Sequence, residues 1–120
     1  MTEQMPKTAL IHIWQGGADT YLKKAVKNCY KAVLSSGFYI DLLLSASAHY
    51  RTSLYPANIS DEVKHRILGG EATMWSELVT PVTIDSRIWQ RSLAIGECLW
   101  TNPEKVDTYK IGSAEKHIKY

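Results

Sequence analysis

From residue 8 to residue 101, short apolar runs alternate with longer amphipathic stretches, and that alternation restricts the fold more than any other feature of the chain. Thr8-Ala-Leu-Ile-His-Ile-Trp14 has the pattern of a buried strand and is followed by Gly16-Gly17. Asp19 or Thr20 is placed to cap a helix. In that helix Leu22, Ala25, Val26, Cys29 and Val33 recur at helical spacing, with Lys23, Lys24, Lys27 and Lys31 on the other side. Gly37 stands where a helix-ending glycine is expected, and Phe38 to Leu44 reads as a second strand. Residues 45–60 read as a long irregular connection holding Pro56. Ser60-Asp-Glu-Val-Lys64 then reads as a capped helix start. Arg66 to Trp75 gives the third strand. Thr83 or Asp85 opens a second long helix, with Ile88, Trp89, Leu93, Ile95, Leu99 and Trp100 as its apolar surface, and Asn102-Pro103 ends it.

The order strand, helix, strand, loop, strand, helix predicts an α/β fold with parallel strands and crossover helices. A closed (β/α)8 barrel needs eight such units and typically ~250 residues. This chain has 120 residues and three predicted strands, so the expected domain occupies 8–101, with a lead at 1–7 and a polar tail at 102–120. The apolar share of 45% and charged share of 22% are those of a soluble globular chain. A net charge of +2, with scattered basic residues, gives no reason to invoke nucleic acid or an anionic membrane. No stretch reads as a membrane span, and Met1 to Lys7 lacks the basic-then-apolar pattern of a signal peptide. Cys29 and Cys98 read as buried free thiols inside helices. His12, His49, His65 and His117 lack ligand spacing, so no metal or organic cofactor is expected.

In parallel α/β folds the working side chains sit at the C-terminal ends of strands. Trp14 ends the first predicted strand. Tyr39 and Asp41 lie two apart in the second, and Trp75 and Glu77 follow the third with the same spacing. Two indoles, one phenol and two carboxylates suit a sugar: flat rings cover the apolar face of a pyranose, and carboxylates accept from hydroxyls. Taken singly, most of these have a structural reading, and a strand-end Trp is usually core packing. Trp89 and Trp100, on the last helix, read as packing residues. Asp41 is harder to dismiss, because a carboxylate inside an apolar run must be paired or functional.

The segments Ile13-Trp14, Tyr39-Ile-Asp41 and Gly69-Gly-Glu-Ala-Thr-Met-Trp-Ser-Glu77 resemble, in order, those of family 20 glycoside hydrolases, the β-N-acetylhexosaminidases. The resemblance spans residues 8–101 and is most specific over 66–100. It implies the C-terminal three βα units of a TIM barrel. It implies that Trp14 and Trp75 wall the pocket for the acetamido methyl, that Tyr39 donates to the acetamido oxygen, and that Asp41 and Glu77 hold sugar hydroxyls. The implied substrate is an oligosaccharide or glycan ending in N-acetylhexosamine, cleaved by attack of the substrate's own acetamido oxygen. In that scheme a Glu protonates the leaving oxygen and the preceding Asp orients the acetamido group, an exception to the usual two-carboxylate scheme.

That catalytic Asp-Glu pair has no match here. Gly69-Gly70-Glu71 lacks the Asp, and Asp61-Glu62 reads as a helix N-terminus. The expectation is therefore a chain with the substrate-holding residues, without the catalytic pair, and inactive alone. Two alternatives stand beside it. One is a carbohydrate-binding or barrel-completing subunit whose partner is the missing N-terminal part of the barrel. The other is an unrelated small α/β interaction domain.

Overall fold

A computed structural model of the chain describes residues 5–42 and 44–101. The described residues fall into two compact units, one within Met1–Ser36 and Leu54–Gly70, the other within Gly37–Ser53 and Glu71–Tyr120.

The first unit holds a three-stranded parallel sheet in chain order: β1 (Leu10–Ile13), β2 (Lys31–Leu34) and β3 (Ile67–Gly70). Helix α1 (Ala18–Lys27) connects β1 to β2 and packs on both strands. Its apolar face delivers Leu22, Ala25 and Val26 to a core with Ile13, Ala32, Leu34 and Ile67, all buried. Burying Leu22 and Val26 contributes about 1.5–3 kcal/mol each. In β3, Leu68 is skipped between Ile67, which faces Ala32, and Gly69, which faces Val33. Gly69 has φ 144°, a conformation open to glycine, and this bulge bends β3 as it leaves the sheet. A short helix α2 (Ala46–Tyr50) follows in the second unit, and α3 (Asp61–Lys64) precedes β3 in the first. Asp61 pairs with Lys64 at 2.7 Å across α3, as a helix N-terminus favours.

In the second unit α2 packs on the long helix α4 (Ile84–Trp100), over buried Ala94, Ile95 and Cys98. Phe38 and Ile40 are buried in the same unit. Both thiols are free; burial raises the pKa of Cys98.

The parallel α/β expectation holds, with its second strand displaced. β2 occupies Lys31–Leu34, a stretch read from sequence as the end of a helix, and not Phe38 to Leu44. Helix α1 stops early because Asn28, Cys29 and Tyr30 fold back on it. Cys29 N–H donates to the Val26 carbonyl (3.0 Å) and Tyr30 N–H to the Ala25 carbonyl (3.0 Å), with Cys29 at φ 64°. This is the Schellman pattern with a cysteine in the place glycine usually takes. Cys29 is accordingly exposed and outside the helix, not buried within it. Gly37 instead makes the turn after β2, at φ 90°, where an added Cβ would lie 2.7 Å from Thr52 Cγ2. The helix α1 starts at Ala18 with Gly17 as its cap residue, ahead of Asp19 and Thr20. The expected irregular connection over 45–60 contains α2, whose N-cap Ser45 Oγ accepts from Ala48 N–H at 3.2 Å. Calls on Asn102-Pro103, on His117 and on the rest of the 102–120 tail lie outside the described residues.

Candidate functional site

In the second unit Tyr39 and Thr73 form an isolated parallel bridge. Ile40 N–H donates to the Thr73 carbonyl (2.9 Å) and Thr73 N–H to the Phe38 carbonyl (3.1 Å). Buried Phe38 and Ile40 anchor this short extended piece on either side of Tyr39. Asp41 lies two residues beyond Tyr39, and Trp75 two residues beyond Thr73, so the bridge sends both segments out in the same direction. Glu77 sits in the following 3-10 turn, Ser76–Leu78.

Asp41 is in a bend rather than a strand, so alternation along a strand does not by itself fix its side relative to Tyr39. It is 6% exposed, and its Oδ1 is buried with no hydrogen-bond partner among the described residues. Thr73 Oγ1 is likewise buried and unpartnered. Native interiors seldom leave such atoms unsatisfied, and with His49 Nε2 this unit holds three of them among the described residues. Trp75, by contrast, is 54% exposed, and Glu77 is exposed. Two hydrogen-bonding oxygens without partners, an open indole and a nearby phenol and carboxylate make a set able to hold a polyhydroxylated ligand.

Two arginines missed in the sequence hold the backbone here. The Arg87 guanidinium donates to the Asp41 main-chain carbonyl, and Arg91 Nε donates to the Leu44 carbonyl at 2.8 Å. Their signal was an i, i+4 arginine pair on the otherwise apolar side of a helix. His49 was also passed over. It is fully buried, its Nδ1–H donates to the Gly37 carbonyl at 3.0 Å, and its Nε2 has no partner among the described residues. Burial lowers its pKa from 6.5; the bond to Gly37 opposes that and the nearby Arg91 charge reinforces it.

Trp14 belongs to the first unit, past the end of β1, and is half exposed. It lines a cavity of about 870 Å³ with Tyr21, Tyr30, Lys7 and Lys24. Lys7 Nζ lies 4.3 Å from the Tyr30 ring centre and donates to the Asn28 carbonyl. Among the described residues no three His, Cys, Asp or Glu side chains cluster as a metal site requires, and no helix is long and apolar enough to cross a membrane.

The class defined so far is a parallel α/β element with candidate ligand-binding side chains beyond its extended segments, as in parallel α/β enzymes. Comparison with known proteins gives the family. The profile of the glycosyl hydrolase family 20 catalytic domain matches residues 1–103, and the chain belongs to that family. It is similar to beta-hexosaminidase subunit A1 of Dictyostelium discoideum, 33% identical over 82% of this chain and 20% of that protein. It is similar to the chitooligosaccharidolytic beta-N-acetylglucosaminidase of Bombyx mori, 30% identical over 78% of this chain and 18% of the other. Among solved structures, a Flavobacterium johnsoniae chitobiase superposes with a TM-score of 0.84 at 44% identity, over 98% of this chain and 19% of that one. The chain thus spans about a fifth of the length of these relatives.

Proposed function

We propose that this chain is the C-terminal, substrate-holding part of a family 20 barrel, and that it lacks the catalytic Asp-Glu pair and is inactive alone. Trp75 would cover the acetamido methyl, Tyr39 would donate to the acetamido oxygen, and Asp41 and Glu77 would accept from sugar hydroxyls. The observation that carries the reading is Asp41: a buried carboxyl whose Oδ1 has no partner among the described residues, two residues past a bridge that also sends Trp75 outward. A ligand hydroxyl would supply the missing bond. Tyr39 and the Trp75 indole would hold the acetamido group near attack geometry, which is the part of catalysis that positioning supplies. The general acid contributes about 10²–10⁴-fold in such reactions, and neither lookalike supplies it. Asp61-Glu62 opens α3, and exposed Glu71 follows β3 without a preceding Asp.

The test uses residues 1–120 with N-acetylglucosamine and an aryl N-acetyl-β-glucosaminide. Weak binding of the sugar, lost in Trp75→Ala, and no turnover are expected. Binding indifferent to Trp75→Ala would overturn the site. Robust turnover lost in Glu71→Gln or Glu62→Gln would overturn the assignment of those residues to structure.

A second reading, a subunit that completes a barrel with another polypeptide, is favoured by the sheet edges. β1 and β3 are both edge strands, and Leu10 and Leu68 on them are 53% and 54% exposed. Parallel sheets are otherwise almost always covered. Turnover restored by adding the N-terminal part of a relative's barrel, and only then, would select this reading.

A further inference from the structure

Helix α4 turns one stripe inward. Ala94, Ile95 and Cys98 are its buried apolar part, and Arg87 and Arg91 continue the same stripe at helical spacing toward the N-terminus. Trp89 and Trp100 stand on the opposite side and are exposed, so the packing role read for them from the sequence does not hold within the described chain. Two arginines on the inward side of a helix need a use. Helix stability is not that use for Arg87, which lies in the first turn, where the macrodipole disfavours a cation.

Their acceptors give the use. Arg87 donates to the Asp41 carbonyl and Arg91 Nε to the Leu44 carbonyl, so the pair holds both ends of one short segment. Arg91 Nη1 also reaches the Ser86 and Arg87 carbonyls, each at 3.4 Å, which braces its guanidinium against the helix. These bonds act where apolar anchoring stops. Phe38 and Ile40 are buried, whereas Leu42 and Leu44 are 44% and 39% exposed. Residues 40–42 form a bend outside any strand, so no sheet ladder fixes the main chain there. Such a bend has many accessible conformations, and two bonds from charged donors select one of them.

We propose that Arg87 and Arg91 are positioning residues for sugar binding: by holding the main chain at Asp41 and Leu44, they fix the Asp41 carboxyl relative to Tyr39. The proposal rests on the reading of Asp41 as an acceptor of a sugar hydroxyl, and neither arginine touches the sugar. A double-mutant cycle on residues 1–120 tests it. N-acetylglucosamine is titrated where circular dichroism shows each protein folded, with urea denaturation alongside. Asp41→Asn should weaken binding. Arg87→Met and Arg91→Met should each weaken it by up to about tenfold, the worth of one hydrogen bond to a charged group. Either arginine variant combined with Asp41→Asn should bind no more weakly than the weaker of its two single variants, since both changes act through one carboxyl. Arg87→Lys keeps the cation without the planar fork, so it should fall between the parent and Arg87→Met. It carries the same cycle if Arg87→Met does not fold. Arginine variants that lower the urea midpoint but bind as the parent does, while Asp41→Asn binds more weakly, overturn the positioning role alone. So do losses that add across the cycle. A parent chain that does not bind the sugar, or binding indifferent to Asp41→Asn, overturns the reading of Asp41 and the proposal with it.

Discussion

The Tyr50 hydroxyl donates to Glu97 Oε2, joining α2 to α4 inside the second unit. Tyr50 is buried, and burial together with the Glu97 bond raises its pKa above the ordinary 10.0. Hydrogen bonds to charged groups contribute about 1.5–3 kcal/mol when shielded, and Glu97 is exposed, which favours the low end. Tyr50→Phe should cost about 1–2 kcal/mol in urea denaturation. It should also change the alkaline limb. The unfolded phenol loses its proton near pH 10 while the folded one keeps it, so this stabilisation is complete below pH 10 and declines as pH rises beyond it. An alkaline limb unaltered by the substitution would remove the Tyr50–Glu97 bond from the account.

Cys29 occupies a left-handed position at φ 64° that glycine would adopt without strain. Cys29→Gly should stabilise the first unit by up to about 1 kcal/mol, the relief of strain outweighing the added freedom of the unfolded chain. A lower melting temperature in the variant would show the cysteine side chain contributing packing that its exposure does not suggest. The same residue explains how far the fold could be read from sequence. β1 and the start of α4 were legible because an apolar run and a capped amphipathic stretch each had one interpretation. The end of α1 was not, because the chain turns on a cysteine, and the next glycine, Gly37, drew the helix eight residues too far toward it. With that boundary misplaced, Ala32, Val33 and Leu34 were counted as helix and Phe38 onward as strand. Tyr39 and Asp41 remained identifiable because a carboxylate in an apolar run is unusual wherever the strand ends. For the arginine bonds to the Asp41 and Leu44 carbonyls the i, i+4 arginine pair was visible along the helix but its acceptors were not, since they lie 46 and 47 residues away.

His49 should make the second unit sensitive to mild acid. Its imidazole is fully buried with Nε2 unpartnered, and burial lowers its pKa from 6.5. The unfolded chain takes up a proton near pH 6.5 that the folded chain refuses. Stability is therefore full above that pH and falls below it, with a limiting slope of about 1.4 kcal/mol per pH unit per proton. His49→Gln should lower stability at neutral pH and flatten this acid slope relative to the parent chain. Since His12 and His65 remain in both proteins, the difference in slope is the quantity to read. Equal slopes would mean that His49 protonates in the folded state without cost.

The last prediction separates stability from binding at Asp41. A buried polar atom without a partner costs about 1–3 kcal/mol, and more when it carries charge. If Asp41 is kept for a ligand, the free chain bears that cost. Asp41→Asn retains the shape and the bond from Arg87 to the main-chain carbonyl, and removes the charge. The variant should unfold at higher urea concentration than the parent, by about 1 kcal/mol, the direction common when a strained functional residue is replaced. It should bind N-acetylglucosamine more weakly, because an amide offers a poorer acceptor to a sugar hydroxyl than a carboxylate does. Urea denaturation and ligand titration on the same two proteins give both quantities. A variant less stable than the parent, with sugar binding unchanged, would place Asp41 among the residues that hold the fold together and leave Tyr39, Trp75 and Glu77 as the candidates of the second unit for touching the sugar.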